Sequence, residues 1–312
     1  MLKLSVIICT YNPYIPILNK VLKALKSQTL NQQYWQLIIV DNNSEPPVSK
    51  VLNIDWHING FITEEKELGL IKARITGYKL SGDTPVIIFV DDDNVLDPNY
   101  LHNSLQFSYK HPEVGCFGGK SIPIYETPPP SWFFKTNISL GCQDYGDKLF
   151  ISNYNLKKLK LLKYPERAPI GTGMVITSKS FLCYLQAIEN DIKRLQLGRK
   201  GLNLISGEDN DIVLTVIKHG YEIACIPELI VNHHIQKRRY NLEYLKKIAF
   251  QSNQSWIKAL EIHDINPWKK IPKWTVPIRC LKAWILYKGW KNEANYINWK
   301  SACGTFQGLS EI

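Results

Sequence analysis

The chain has 312 residues, 45% of them hydrophobic, which is enough for one large α/β domain with an appendage and too apolar for global disorder. Seven scattered cysteines without a Cys-x-x-Cys pair fit a reducing cytoplasm and give no zinc site, and no apolar run reaches the roughly 18–20 residues that span a bilayer. The net charge of +10 points to phosphate-bearing substrates, nucleic acid or anionic lipid, but it is unevenly placed: from Tyr240 onward 11 Lys and Arg face 5 Asp and Glu, alongside six of the nine tryptophans.

The N-terminus runs directly into a strand-like segment, Leu4–Cys9, with no charged stretch and cleavage site ahead of it, so no secretory signal is expected. Leu18, Val21, Leu22 and Leu25 then recur at helical spacing. Gln36–Val40 reads as a second buried strand ending at Asp41, Gly60–Thr63 as a weaker third, Leu68–Leu80 as a helix, and Val86–Val90 as a fourth strand ending at Asp91. Short β-branched runs alternating with helices predict a mainly parallel sheet with helices on both faces, whose carboxyl edge is the ligand edge. Residues 120–168, rich in Pro, Tyr, Trp and Lys, read as long loops. Pattern returns at Ile170–Ile176, at a helix over Asp209–His219 and at a strand over Ile223–Ile226, and the tail from Asn241 reads as helical. The composition shift near 240 predicts a catalytic domain over 1–240, in halves of about 1–120 and 121–240, and a basic, Trp-rich tail over 241–312.

The loop after the first strand, Thr10-Tyr11-Asn12-Pro13, lacks the glycines of a dinucleotide or P-loop site, which weighs against a dehydrogenase and an NTPase. Asp41-Asn42-Asn43-Ser44 ends the second strand; its carboxylate suits a ribose hydroxyl or a base N–H, or equally an Asx turn. Asp91-Asp92-Asp93 follows a fully apolar strand. Three adjacent carboxylates repel one another unless a cation offsets them, and a hard divalent ion would do so while also binding a pyrophosphate; the alternative is a solvated acidic turn.

Taken in order, six segments resemble the inverting glycosyltransferases of family 2, which have the GT-A fold. These are Ser5–Asn12, Ile38–Ser44, Gly69–Gly77 (Gly-x-x-x-Ala-Arg-x-x-Gly), Asp91–Asp93 (Asp-x-Asp), Gly171–Met174 and Ser206–Asp209. The resemblance covers roughly residues 3–240. It implies a nucleotide site of Thr10, Tyr11, Asn12, Asp41, Gly69, Lys72, Arg74 and Asp92, a Mn²⁺ or Mg²⁺ site of Asp91, Asp93 and His233, acceptor contacts at Gly173, Met174 and Glu208, and Asp209 as catalytic base. His233 is preferred to His234 because it fits a His-x-Ile-x-x-x-Arg pattern. Lys237, Arg238 and Arg239 read as facing the pyrophosphate or anionic lipid, or as a solvated basic run.

The implied reaction moves a sugar from a nucleotide-sugar donor, UDP first among the candidates, to a glycan or lipid-linked hydroxyl in surface polysaccharide or glycolipid synthesis. The competing class is an inactive nucleotide- or glycan-binding protein of the same fold. Nucleic-acid binding leaves the acidic cluster unexplained. The expected location is cytoplasmic, with the Trp- and Lys-rich tail either touching the inner membrane face or packing on the core.

Overall fold

A computed structural model describes residues 1–201 and 203–312. The nucleotide half is β1 (Leu4–Thr10), α1 (Ile15–Lys26), β2 (Trp35–Asp41), β3 (Gly60–Glu64), α2 (Leu70–Leu80) and β4 (Val86–Val90). β1 pairs in parallel with both β2 and β4, and β2 with β3. β1, β2 and β4 are apolar on both faces because helices cover both, and all but Cys9 of their residues are buried. α1 follows its sequence signals: Pro16 in the first turn, Leu18, Val21, Leu22 and Leu25 on the buried face, and Lys23 and Lys26 at the negative end of its dipole.

The second half is β5 (Asn94–Leu96), α3 (Tyr100–Lys110), β6 (Val114–Tyr125), β7 (Phe150–Ile151), β8 (Val175–Thr177), α4 (Ser178–Ile188), α5 (Ile192–Leu195), α6 (Glu208–Lys218) and β9 (Glu222–Ile235). The sheet runs β3-β2-β1-β4-β8-β6-β9-β5, with β7 also on β9. The sheet is parallel over most of its paired length, as expected, with short antiparallel additions: β8 is antiparallel to β4 and β6, and β5 and β7 are antiparallel to β9. The expectation of loops from residue 120 needs correction, because β6 continues to Tyr125. Its pairing with β9 extends to Tyr125↔Ile235, with a register shift around Gly119.

The tail forms α7 (Leu242–Ile262), α8 (Val276–Leu286) and α9 (Glu293–Glu311). α7 and α9 pack closely because α9 presents glycine there: a Cβ at Gly304 would stand 2.1 Å from the Phe250 carbonyl oxygen. Among the described residues no helix is long and apolar enough to cross a membrane.

Candidate active site

β1, β2 and β4 end side by side, with Thr10 in register with Asp41 and Ile8 with Val90, so the three loops of interest meet at one edge. Thr10 Oγ1 donates to Asp92 Oδ2 at 2.5 Å. Asn12, at φ 48°, donates its backbone N–H to Ser44 Oγ at 2.9 Å and accepts from Glu45 N at 2.8 Å, clamping the first two loops together. Asp41, expected to meet the donor's base, accepts from Ser44 N and Val48 N, one bond to each oxygen, and so braces its own loop. It lines a separate pocket of about 160 Å³ with Pro47, Ser49 and Thr63. Asn42, which sequence reasoning passed over, is the brace for α2: its amide accepts from Gly69 N and donates to the Glu65 and Glu67 carbonyls. Lys72 pairs with Glu67 at 3.1 Å and does not line the main cleft.

The antiparallel β5–β9 ladder sets Asn94 opposite His233 and so brings the histidine to Asp93. His233 Nε2 lies 3.4 Å from Asp93 Oδ2, and the Arg239 guanidinium reaches both, at 2.6 Å from Asp93 and 3.2 Å from His233. Burial would raise Asp93, but the two cations outweigh it and hold its carboxyl well below the usual carboxylate range. Burial would lower His233, yet Asp93 beside it brings the imidazole up to about 9. For Asp92, burial and then Asp93 outweigh the opposing Thr10 hydrogen bond and Arg239 and push it up to about 7.

Asp93 and His233, an oxygen and a nitrogen donor 3.4 Å apart, are the two side chains that would hold a divalent cation; to do so the imidazole must shed its proton and Arg239 must leave its Nε2. Asp91 does not complete the set as expected: among the described residues no three His, Cys, Asp or Glu side chains gather into a metal cluster. Its backbone N–H donates to Asn94 Oδ1, which turns the loop, and burial and then Asp93 push its carboxyl up.

Opposite this corner, α6 begins with Glu208, Asp209 and Asp211 at the positive end of its dipole. Arg74 from α2, expected at the nucleotide, lines the cleft and is buried against α6. Its Nη1 donates to Asp209 Oδ1 at 2.9 Å and Glu208 Oε1 at 3.1 Å, and the guanidinium lies 4.9 Å from the Phe89 ring centroid. Both line the cleft, but Asp209 keeps 31% of its side chain exposed whereas Glu208 keeps 4%, so Asp209 is the more accessible carboxylate of the pair. Asp211 faces the other way, buried against Arg194 and His263.

Both corners line one cleft of about 1770 Å³ that also holds Tyr11, Asn42, Tyr164, Gly171 and Thr172. Of the expected acceptor contacts, Gly173 and Met174 are not among its lining. Met174 points into the core beneath the sheet, fully buried, and Gly173, at φ 72°, accepts a hydrogen bond from Tyr100 Oη through its carbonyl. Gly171 does line the cleft, beside Asp209: a Cβ there would stand 2.4 Å from Asp209 Oδ2. α7 and α9 supply the remaining wall through Tyr244, Gln251, Trp256 and Tyr296, so the tail is part of the cleft.

The sequence profile of glycosyl transferase family 2 matches residues 5–183, more than half of the chain. The chain belongs to glycosyl transferase family 2. It is 22% identical to the O-antigen chain rhamnosyltransferase RfbN of Salmonella typhimurium over 82% of this chain and 75% of that one. It is 23% identical to a glucosyl-dolichyl phosphate glucuronosyltransferase of Haloferax volcanii over 46% of this chain, about half that protein's length (47%). Among solved structures it superposes on the mannosyltransferase PcManGT of Pyrobaculum calidifontis, in complex with GDP-Man and Mn²⁺ (TM-score 0.55, 16% identity, 97% of this chain and 73% of that one). It also superposes on residues 1–349 of S. aureus TarS (TM-score 0.50, 15% identity, 99% and 90%). At such identities the superpositions establish the shared GT-A fold. The protein is a glycosyltransferase, and its family profile spans the Thr10, Asp41, Arg74 and Asp91–Asp93 segments and stops short of α6.

Proposed function

We propose that the protein transfers a sugar, with inversion, from a nucleoside diphosphate sugar to a hydroxyl of a glycan or lipid-linked acceptor in polysaccharide assembly, with Asp209 as general base. The observation that carries this reading is the placement of Asp209 in the cleft, held by Arg74, across from the acidic edge of β4. The likeness to an O-antigen rhamnosyltransferase supports the polysaccharide setting, and a UDP-sugar is the first donor to test. The division of labour we infer is a catalytic unit over 1–240 and a helical tail over 241–312 that completes the cleft wall.

In this mechanism Thr10, Tyr11 and Asn12 receive the nucleotide at the sheet edge. Asp93 and His233 would hold the divalent cation, which offsets charge on the departing diphosphate. Arg239, already at Asp93, adds a fixed positive charge at the same corner. Asp209 Oδ2, on the open side of the Arg74 contact, takes the acceptor's proton as its oxygen forms the new bond. Direct displacement needs no covalent sugar–enzyme intermediate.

Calorimetry with UDP tests the metal corner. Manganese is expected to tighten binding by roughly tenfold or more in the parent, and Asp93→Ala should remove that gain. Equal affinity in manganese and in chelator would refute the assignment.

Glu208 supplies a pH signature. Burial pushes its carboxyl up to about 7, with Asp209 adding to the rise and Arg74 opposing it. As pH rises through that value Glu208 ionises and places negative charge beside Asp209, strengthening it as a base. Transfer is therefore expected to climb through about 7 in the parent and to lose that climb in Glu208→Gln. An unaltered profile in the variant would remove Glu208 from the account.

A further inference from the structure

α8 is a helix with half of its surface uncovered. Cys280, Ala283 and Trp284 turn inward: Trp284 meets Trp299 edge to face at 4.6 Å, and the Trp299 indole donates to the Cys280 carbonyl at 2.8 Å. The opposite stripe, Ile278, Leu281 and Ile285, follows i, i+3, i+7 spacing and faces outward with Leu286, and Trp274 and Trp290 stand at its two ends. These six side chains are between 59% and 73% exposed. Around them, residues 265–292 carry seven Lys and Arg, every one exposed, and no Asp or Glu. Apolar side chains this large are rarely left in water without a partner.

A second stretch of the same chemistry lies in the loop before Tyr164. Leu156, Leu159 and Leu162 are exposed there, interleaved with exposed Lys157, Lys158 and Lys160. The two stretches meet at Trp256. Leu161 and Tyr164 pack with Trp256 onto Leu260 and Ile265, and Trp256 also packs beside Ile271 and Val276 at the entry to α8. Tyr164, Trp256 and Tyr287 in turn line the main cleft.

We propose that α8 and the Leu156–Leu162 loop form one docking face for an anionic lipid bilayer, with the cleft opening beside it. Aliphatic side chains ringed by lysines, with tryptophans at the margins, match a leaflet whose acyl region takes the Leu and Ile and whose headgroups take the cations and indoles. A second copy of the chain is a poorer fit, because a two-fold contact would press two uniformly basic faces together. Nucleic acid would engage the lysines but has no use for an aliphatic stripe. An acceptor carried on a lipid would reach the cleft from this side, a consequence that rests on the transferase reading; docking itself does not.

The test is flotation of the full chain with phosphatidylcholine vesicles, with and without phosphatidylglycerol. The parent is expected to float with the anionic vesicles and far less with the neutral ones. Leu281→Glu/Ile285→Glu and, separately, Leu159→Glu/Leu162→Glu should each cut recovery by roughly tenfold. All four side chains are exposed, so melting temperature and donor turnover in vesicle-free buffer should stay at parental values; those readouts separate a docking failure from a failure of the chemistry. Ile58→Glu, an exposed apolar site elsewhere, should float like the parent. The proposal falls if the parent ignores anionic vesicles, if either double variant floats like the parent, or if light scattering finds a parent dimer that the α8 variant splits.

Discussion

Asp209→Asn is expected to fold like the parent, bind donor within a few-fold, and lose transfer by roughly two to four orders of magnitude. The amide oxygen can still accept from Arg74 Nη1, so the contact at 2.9 Å that positions the side chain survives while the proton-accepting function does not. Asp209 sits in the first turn of α6, and a role limited to favouring that helix end predicts only about 1 kcal/mol of lost stability with activity intact. The two outcomes are far apart. Rates should be compared at saturating donor and metal, so that a binding defect is not read as a chemical one. Gly171→Ala offers an independent route to the same carboxylate, because the added methyl would press on Asp209 Oδ2. Near-parental transfer by Asp209→Asn would move the base to another carboxylate, with Glu208 next because it shares Arg74.

Arg74→Met should cost about 3–5 kcal/mol of stability, the usual consequence of leaving buried carboxylates without their cation. Among the described residues Arg74 is the cation bonded to Glu208, whose Oε2 has no hydrogen-bond partner there, and it also holds Asp209. Without it Glu208 would be driven further toward its protonated form, and Asp209 would lose its fixed position. Urea unfolding should therefore show a lower midpoint, and the double variant Arg74→Met/Glu208→Gln should recover part of it, because a neutral amide removes the cost of keeping a buried carboxyl there without its cation. A loss below about 1 kcal/mol would mean that the trio behaves like an exposed ion pair, and that Asp209 is placed by α6 alone.

These two residues mark how far the sequence could be read. The strands of the nucleotide half are legible because β1, β2 and β4 each carry an unbroken run of four or more mostly β-branched apolar residues ahead of a polar or acidic end, a local signal. Of β9 only Ile223–Ile226 reads as a strand, and β6 does not read as one at all: Gly119, Pro123 and Pro227 look like breaks locally and are tolerated at register shifts and sheet margins. α3 and α4 were passed over altogether.

In the site, the acidic loop and the start of α6 were legible for the same local reason. The partners that give those acids their roles were not. Arg74 meets α6 across more than 130 positions of sequence, and Arg239 meets Asp93 across 146, so the motif alone puts Arg74 at the nucleotide and Arg239 reads only as part of a basic run facing pyrophosphate, anionic lipid or solvent. Met174 was misplaced by a simpler cause: at the entry to a short strand, only the fold decides whether a side chain points to the cleft or to the core. Asn42 lay beside a more conspicuous aspartate, although the amide is the side chain that ties the second strand to α2.

The most direct measurement is release of nucleoside diphosphate from a panel of UDP-, GDP- and dTDP-sugars with manganese, run in parallel on the parent and on Asp209→Asn. The account expects at least one donor to be turned over by the parent, with the rate falling by roughly two orders of magnitude or more in the variant. Turnover at equal rates in the two proteins, or no turnover of any donor by the parent, would contradict it.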